Sequence, residues 1–207
     1  MRARREPAAV RLIAVSKGHG AEAIRAAYAL GQREFGESYV QELKQKAGEL
    51  ADLAELRLRF IGRLQRNKAK DAAALAYAVD CVDSPALAEA LDQRARTLGR
   101  TLELLLQVNV DREPQKAGAL PEAVPELVER VRALPALQLR GLMAIPRASE
   151  NPEQMRPAFA ALRELARQLA LPELSIGMSD DLEVAVEEGA TMVRVGTAIF
   201  GPRPAYG

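Results

Sequence analysis

Val10-Arg11-Leu12-Ile13-Ala14-Val15-Ser16-Lys17-Gly18-His19-Gly20 reads as a short apolar strand that ends in a lysine and a glycine-flanked turn. Repetition of that kind of strand decides the fold. Short apolar runs alternate with longer amphipathic ones to the end of the chain, and the pattern predicts strands at 10–15, 34–36, 58–62, 77–82, 102–109, 138–145, 174–177 and 192–196. The second and seventh are too short to show a period of their own. Alternation of strand and helix without a long polar linker calls for a parallel sheet covered by helices. Eight strands favour a single (β/α)8 TIM-type barrel over an open doubly wound sheet, and 207 residues lie near the lower end for that fold. The expectation is one domain over 1–207.

The intervening helices carry clearer signals. Ser84-Pro85 marks a helix start, Leu87, Leu91, Ala95 and Leu98 form one stripe, and Gly99 ends it. Val40, Leu43, Ala47 and Leu50 form an earlier stripe. Val124, Leu127, Val128, Val131 and Leu134 form a later one, with Pro125 in the first turn. Met155, Phe159, Leu162, Ala166 and Leu169 give another, with Pro157 near its start.

Composition excludes several classes of function. Apolar residues are 48% and charged residues 28% of the chain, as in a folded soluble protein. A net charge of +1 gives no broad attraction to nucleic acid or to an anionic membrane. The single cysteine, Cys81, lies in an apolar stretch, so neither an internal disulfide nor a cysteine-rich metal site is available. No apolar run reaches the roughly 18 residues of a membrane span, and no signal-peptide core opens the chain. A cytoplasmic location is the expectation, with no metal site. No glycine-rich phosphate loop follows the first strand.

Three places can carry chemistry. Lys17 ends the first strand, where a parallel barrel aims side chains into its mouth. An amine held there can lose its charge and condense with an aldehyde, although the same residue alone also fits a solvated lysine. After the seventh strand, Ser175-Ile176-Gly177-Met178-Ser179-Asp180-Asp181 places Ser179 where a helix is expected to begin, with Glu183 in capping-box-like spacing. That is either a plain helix cap or a phosphate seat made of a hydroxyl and free N–H groups. In the eighth strand Arg194 shares a face with Met192 and Gly196, so its guanidinium needs an acceptor inside the barrel, and an interior carboxylate is one candidate. Gly196-Thr197 then lets backbone N–H groups approach a ligand. Barrel phosphate sites often use the loops after strands seven and eight, which lie beside the first strand. A lysine, an arginine and a phosphate seat at one mouth suit a phosphorylated aldehyde, pyridoxal 5'-phosphate being the obvious candidate.

The chain also resembles the pyridoxal phosphate homeostasis protein family, whose fold is that of the alanine racemase N-terminal barrel. The resemblance rests on AVSK at 14–17, FGESYVQE at 35–42, FIGRLQRNK at 60–68, QVNVDREPQKAG at 107–118, GLMAIP at 141–146, IGMSDD at 176–181 and MVRVGTAIFG at 192–201. It implies that Lys17 forms the internal aldimine, that Ser179, Gly196 and Thr197 hold the phosphate, and that Arg194 faces the pyridine nitrogen. Asn109 and Met143 would line the mouth. Ser38 stands where the family usually has asparagine, Arg59 where histidine is common, and the proline common after the lysine is replaced by Gly18-His19-Gly20. His19 is read as a mobile loop residue.

The resemblance also implies a role in vitamin B6 balance, with delivery to pyridoxal-phosphate-dependent apoenzymes as a further possibility. The chain is expected to be monomeric and to lack an efficient reaction of its own. A cation beside the ring nitrogen weakens the ring as an electron sink. Racemisation further needs an acid/base on the face opposite the lysine, supplied in alanine racemase by a tyrosine of a second domain that this chain, ending at Gly207, is expected to lack. Tyr28 and Tyr77 fall away from the expected mouth; Tyr39 and Tyr206 could approach it without a family role. The alternatives are a pyridoxal-phosphate-dependent amino-acid racemase and a barrel enzyme acting on a sugar phosphate.

Overall fold

The computed structural model describes residues 5–147 and 149–202. Eight parallel strands close into a barrel in chain order: β1 (Arg11–Val15), β2 (Glu34–Glu37), β3 (Arg57–Phe60), β4 (Ala78–Val82), β5 (Leu102–Gln107), β6 (Leu137–Met143), β7 (Glu173–Ser175) and β8 (Met192–Val195). All eight expected strands are present, the third, fifth, sixth, seventh and eighth ending before their expected last residues. Their apolar chain leaves the sheet at the mouth: Val108 continues beyond β5, its N–H bonded to the Met143 carbonyl at 2.8 Å. The two short runs form strands because both neighbours pair with them: β2 matches Phe35 to Ala14 on one side and to Leu58 on the other.

Helices α1 (Ala21–Ala29), α2 (Val40–Glu49), α3 (Ala69–Leu75), α4 (Pro85–Thr97), α5 (Val124–Arg132), α6 (Arg156–Gln168), α7 (Leu182–Glu187) and α8 (Thr197–Phe200) follow the strands in turn. The predicted stripes are largely their inner faces: Leu87, Leu91 and Ala95 of α4, Val124, Leu127, Val128 and Val131 of α5, and Phe159, Leu162 and Ala166 of α6 are buried, whereas Leu98 caps α4 and is exposed. These faces and the outward residues of the strands form one continuous core. Among the described residues no helix is long and apolar enough to cross a membrane.

Inside the barrel, alternate residues of each strand stack from floor to mouth. The floor is charged. Arg11 of β1 reaches Glu173 of β7 at 2.7 Å and Glu34 of β2 at 3.5 Å. Arg59 of β3, fully buried, forks onto Asp80 of β4 with two 2.8 Å bonds and touches Glu34 at 3.1 Å. Burial works against the Arg59 charge, yet Asp80 and Glu34 outweigh it and hold its pKa above the ordinary value. Arg59 is thus a fork inside the barrel and not part of the cavity wall at the mouth.

A buried pair of this kind is costly to break from one side, because the abandoned charge has no solvent. Arg59→Ala or Asp80→Ala is expected to lower stability by about 3–5 kcal/mol. The volume-matched double change Arg59→Met with Asp80→Leu is expected to cost less than either single change. Urea unfolding of the three variants checks this coupling.

Candidate functional site

The mouth of the barrel encloses a cavity of about 700 Å³ whose wall contains Lys17, Ser38, Ser179, Arg194, Gly196 and Thr197. Six of the eight residues singled out from the sequence therefore meet in one place. The other two do not reach it. Asn109 spends its side chain on its own loop, donating to the Glu113 carbonyl at 2.8 Å and accepting from the Glu113 N–H at 3.2 Å. Met143 is fully buried in the core at the end of β6, opposite Gln107. Gln107, the inward residue at the end of β5, stands in the wall, two positions before the expected Asn109.

Lys17 leaves β1 at the turn where the chain reverses, and Gly18 takes the left-handed conformation at φ 77° that a side chain would resist. Both peptide units beside Lys17 are fixed from behind by a buried polar cluster. Lys46 of α2, 3% exposed, donates to the Ser16 carbonyl at 2.8 Å, to Glu37 Oε1 at 2.7 Å and to Glu42 Oε2 at 2.8 Å. Glu42 Oε2 also accepts the Gly18 N–H at 2.8 Å, and Glu37 Oε1 accepts the Ser16 hydroxyl at 2.6 Å. Burial pushes the Glu37 carboxyl above its usual range, and its second oxygen is sealed without a partner. Burial also pushes Glu42 up, but the hydrogen bonds from Lys46 and Gly18 outweigh it and hold that carboxyl below the usual range.

Two turns form the adjoining wall of the cavity. Ser179 is not the helix cap the spacing suggested: α7 begins at Leu182 with Asp181 in the cap position. The Asp181 carboxylate turns back to accept the Met178 N–H at 2.6 Å, and the Asp181 N–H returns to the Met178 carbonyl at 3.3 Å. Ser179 and Asp180 therefore form the tip of a closed turn in the cavity wall. Gly196 and Thr197 begin α8, a single turn whose Ile199 and Phe200 N–H groups both bond the Gly196 carbonyl at 2.9 Å. The first N–H groups of such a turn have no acceptor within it. Neither the Ser179 nor the Thr197 hydroxyl makes a hydrogen bond among the described residues.

Arg194 fills the interior below these turns. Its guanidinium donates to the Ser175 carbonyl at 2.7 Å, the Ser175 hydroxyl at 2.8 Å and the Ala144 carbonyl at 2.9 Å. The acceptors are thus two carbonyls and a hydroxyl, not the interior carboxylate that was one candidate. Burial pulls its pKa down to about 10, which leaves it cationic at neutral pH.

His19 also lines the wall, its ring 5.2 Å from that of Phe200. It lies in the loop between β1 and α1 with its ring against α8, a contact that nothing local in Gly18-His19-Gly20 announces. Gln115, Lys116 and Arg63 complete the opposite side, with Lys116 paired to Glu113 at 2.9 Å and Asp111 at 3.3 Å. Tyr28 lies under Arg33 at 4.1 Å and Tyr77 under Arg57 at 5.0 Å, as side chains outside the mouth. Tyr39 caps α2 and is 54% exposed. Tyr206 lies outside the described residues. Chemically, the cavity offers an amine at one wall, hydroxyls and helix-start N–H groups for an anion at the adjoining wall, and a cation between them. That set fits a phosphorylated aldehyde.

Comparison with known proteins gives concordant findings. The sequence profile of the alanine racemase, N-terminal domain, matches residues 1–204. The pyridoxal phosphate homeostasis protein of Pseudomonas aeruginosa is 49% identical over 201 residues, covering 96% of this chain and 87% of that protein. Among solved structures, PipY of Synechococcus elongatus PCC7942 with PLP bound superposes with a TM-score of 0.85 at 44% identity, covering 97% of this chain and 96% of that one. Alanine racemase of Clostridium difficile 630 in complex with cycloserine gives a TM-score of 0.80 at 15% identity over 97% of this chain and 57% of that one, a likeness of fold alone.

The turn that presents Ser179 depends on Asp181. Asp181→Ala is expected to release the Met178 N–H, raise its hydrogen-exchange rate at least tenfold and cost about 1.5–3 kcal/mol, while Asp181→Asn keeps an acceptor and most of the protection. Amide exchange read at Met178, together with thermal unfolding, tests this.

Proposed function

The chain belongs to the pyridoxal phosphate homeostasis protein family, and we propose that it holds pyridoxal 5'-phosphate at the mouth of its barrel with Lys17 as the covalent anchor. One observation carries the reading: Lys17, the Ser179 turn and Gly196-Thr197, far apart in sequence, line the same cavity of about 700 Å³. Bound there, the cofactor supplies an aldehyde that takes up an amine reversibly. Lys17 offers the amine. Ser179, Thr197 and the N–H groups beginning at Gly196 grip the phosphate, since a helix start and free hydroxyls favour an anion. Arg194 sets a permanent cation toward the ring, and Ser38 borders the Lys17 side with a hydroxyl where the family's asparagine would place an amide. Asp180, in the same wall, limits how much negative charge the seat accepts and favours the phosphate lying toward Thr197.

The activity of the chain, on this reading, is retention and release of the cofactor in support of vitamin B6 balance, with delivery to pyridoxal-phosphate-dependent apoenzymes. We place it in the cytoplasm as a monomer and a single domain over 1–207, without a nucleic-acid or membrane partner. Efficient catalysis is not part of this role. No tyrosine lines the described cavity wall, and the Arg194 cation opposes protonation of the ring nitrogen, which weakens the ring as an electron sink. The racemase alternative predicts α-deuterium exchange of alanine at ordinary enzyme turnover, on the order of 10 per second. The holding role predicts exchange slower by orders of magnitude.

Spectroscopic titration of the chain with pyridoxal 5'-phosphate separates anchor from seat. Wild type is expected to develop the long-wavelength band of amine-bound cofactor, and Lys17→Ala to lose it. Ser179→Ala is expected to keep the band but weaken retention roughly tenfold or more, the loss of one charge-assisted hydrogen bond. An unchanged band in Lys17→Ala would remove the anchor, and unchanged retention in Ser179→Ala would remove that part of the seat.

A further inference from the structure

We propose that Glu42, Lys46 and Glu37 are positioning residues that aim Lys17 into the cavity by clamping the peptide units on either side of it. The inference rests on Lys17 being the anchor and adds what holds that anchor in place. Ser16 and Gly18 flank Lys17, and the cluster takes hold of both. Lys46 Nζ bonds the Ser16 carbonyl, and Glu37 bonds the Ser16 hydroxyl. Glu42 bonds the Gly18 N–H. The Ser16 N–H is itself tied to Gly36 of β2 at 3.1 Å, and the His19 N–H returns to the Ser16 carbonyl at 3.0 Å. The backbone at residue 17 is therefore fixed from α2 and β2 together, while its side chain stands in the cavity wall.

Lys46 itself has no access to an aldehyde. It is 3% exposed, and its ammonium has three acceptors within 2.8 Å, which uses all three of its protons. Two lysines thus lie close in space with different duties, one buried and saturated, the other lining the mouth. Glu37 is sealed beside Lys46, with one oxygen unpartnered, and burial pushes its carboxyl above the usual range. Holding a reacting amine in one geometry is worth having, since a shift of about 1 Å can cost a hundredfold in rate. A buried ion cluster next to a mouth is otherwise weak evidence for stability, because its desolvation cost can exceed its Coulombic gain.

Lys46→Met would strand two carboxylates in the core and is expected to unfold the chain. Glu42, at the partly exposed edge of the cluster, is the position to vary. Glu42→Ala is expected to slow cofactor uptake about tenfold, read by the rate of appearance of the absorbance band, and to expose the Gly18 amide to hydrogen exchange in the cofactor-free chain. Glu42→Gln keeps an acceptor for the Gly18 N–H and is expected to restore both to within about threefold of wild type, without requiring the melting temperatures to follow. Uptake by Glu42→Ala at the wild-type rate overturns the clamp, as does a Gln variant that protects Gly18 yet remains as slow as the Ala variant. If the wild-type chain takes up no cofactor at all, the anchor itself is wrong. Acetylation of Lys17 by acetic anhydride in the free chain then decides the clamp: a rate altered in Glu42→Ala and restored in Glu42→Gln sustains it, and equal rates overturn it.

Discussion

The pairing of β1 with β8 is what brings the site into being. Four register pairs, from Arg11 opposite Met192 to Ala14 opposite Val195, close the barrel and bring the first strand against the last. Because both strands run in the same direction, the residues after them leave the sheet at the same end. Lys17 follows one and Gly196-Thr197 the other, so an amine and the N–H groups of a helix start become neighbours through sheet closure alone. β7 adds the Ser179 turn from the next position in the circle, where its Ser175 pairs with Met192. An open sheet with the same eight strands would leave β1 and β8 on opposite edges and would have no site.

Closure divides the barrel interior into two electrostatic regions. At the floor every arginine meets a carboxylate: Arg11, Arg57 and Arg59 converge on Glu34, Arg59 forks onto Asp80, and Arg140 lies within 4 Å of Glu103 and Glu173. The opposed charges join strands from inside and need no ligand. Higher up, Arg194 is held by carbonyls and a hydroxyl, which orient the guanidinium without cancelling its charge. A cation that is positioned but not neutralised is a group kept for something else. The two lysines near the mouth differ in place: Lys46 is buried among carboxylates, and Lys17 lines the cavity on a backbone that Lys46 secures.

Much of this was legible in the chain, for identifiable reasons. The strand at 10–15 and its helical neighbours declare themselves because apolar periodicity is a local property. The helix start at Ser84-Pro85 and its end at Gly99 do so because proline and glycine act on their own φ angles, and Gly99 indeed lies at φ 62°. The short strands at Glu34 and Glu173 have no local period and exist only because both neighbours supply hydrogen bonds. The spacing of Ser179 to Glu183 offered a helix cap as the alternative to a phosphate seat, and nothing local says that Asp181 folds back onto Met178 and takes the cap position instead. Asn109 and Met143 stand outside the cavity wall for a related reason. Counting along a strand gives the side of the sheet but not where the chain leaves it, and at the end of β5 it is Gln107 that reaches the wall. Lys46 carried a faint signal as a lysine between Leu43 and Leu50 on the inner stripe of α2, but its partners Glu37 and Ser16 are brought by two other elements.

If the cavity presents one lysine to an aldehyde, chemistry can read that lysine out. The decisive measurement is borohydride reduction of the purified chain after incubation with pyridoxal 5'-phosphate, followed by peptide mass spectrometry. The phosphopyridoxyl mass is expected on the peptide that carries Lys17, at a stoichiometry near one per chain. Label spread over exposed lysines such as Lys44 and Lys70, with Lys17 unmodified, would refute the anchor.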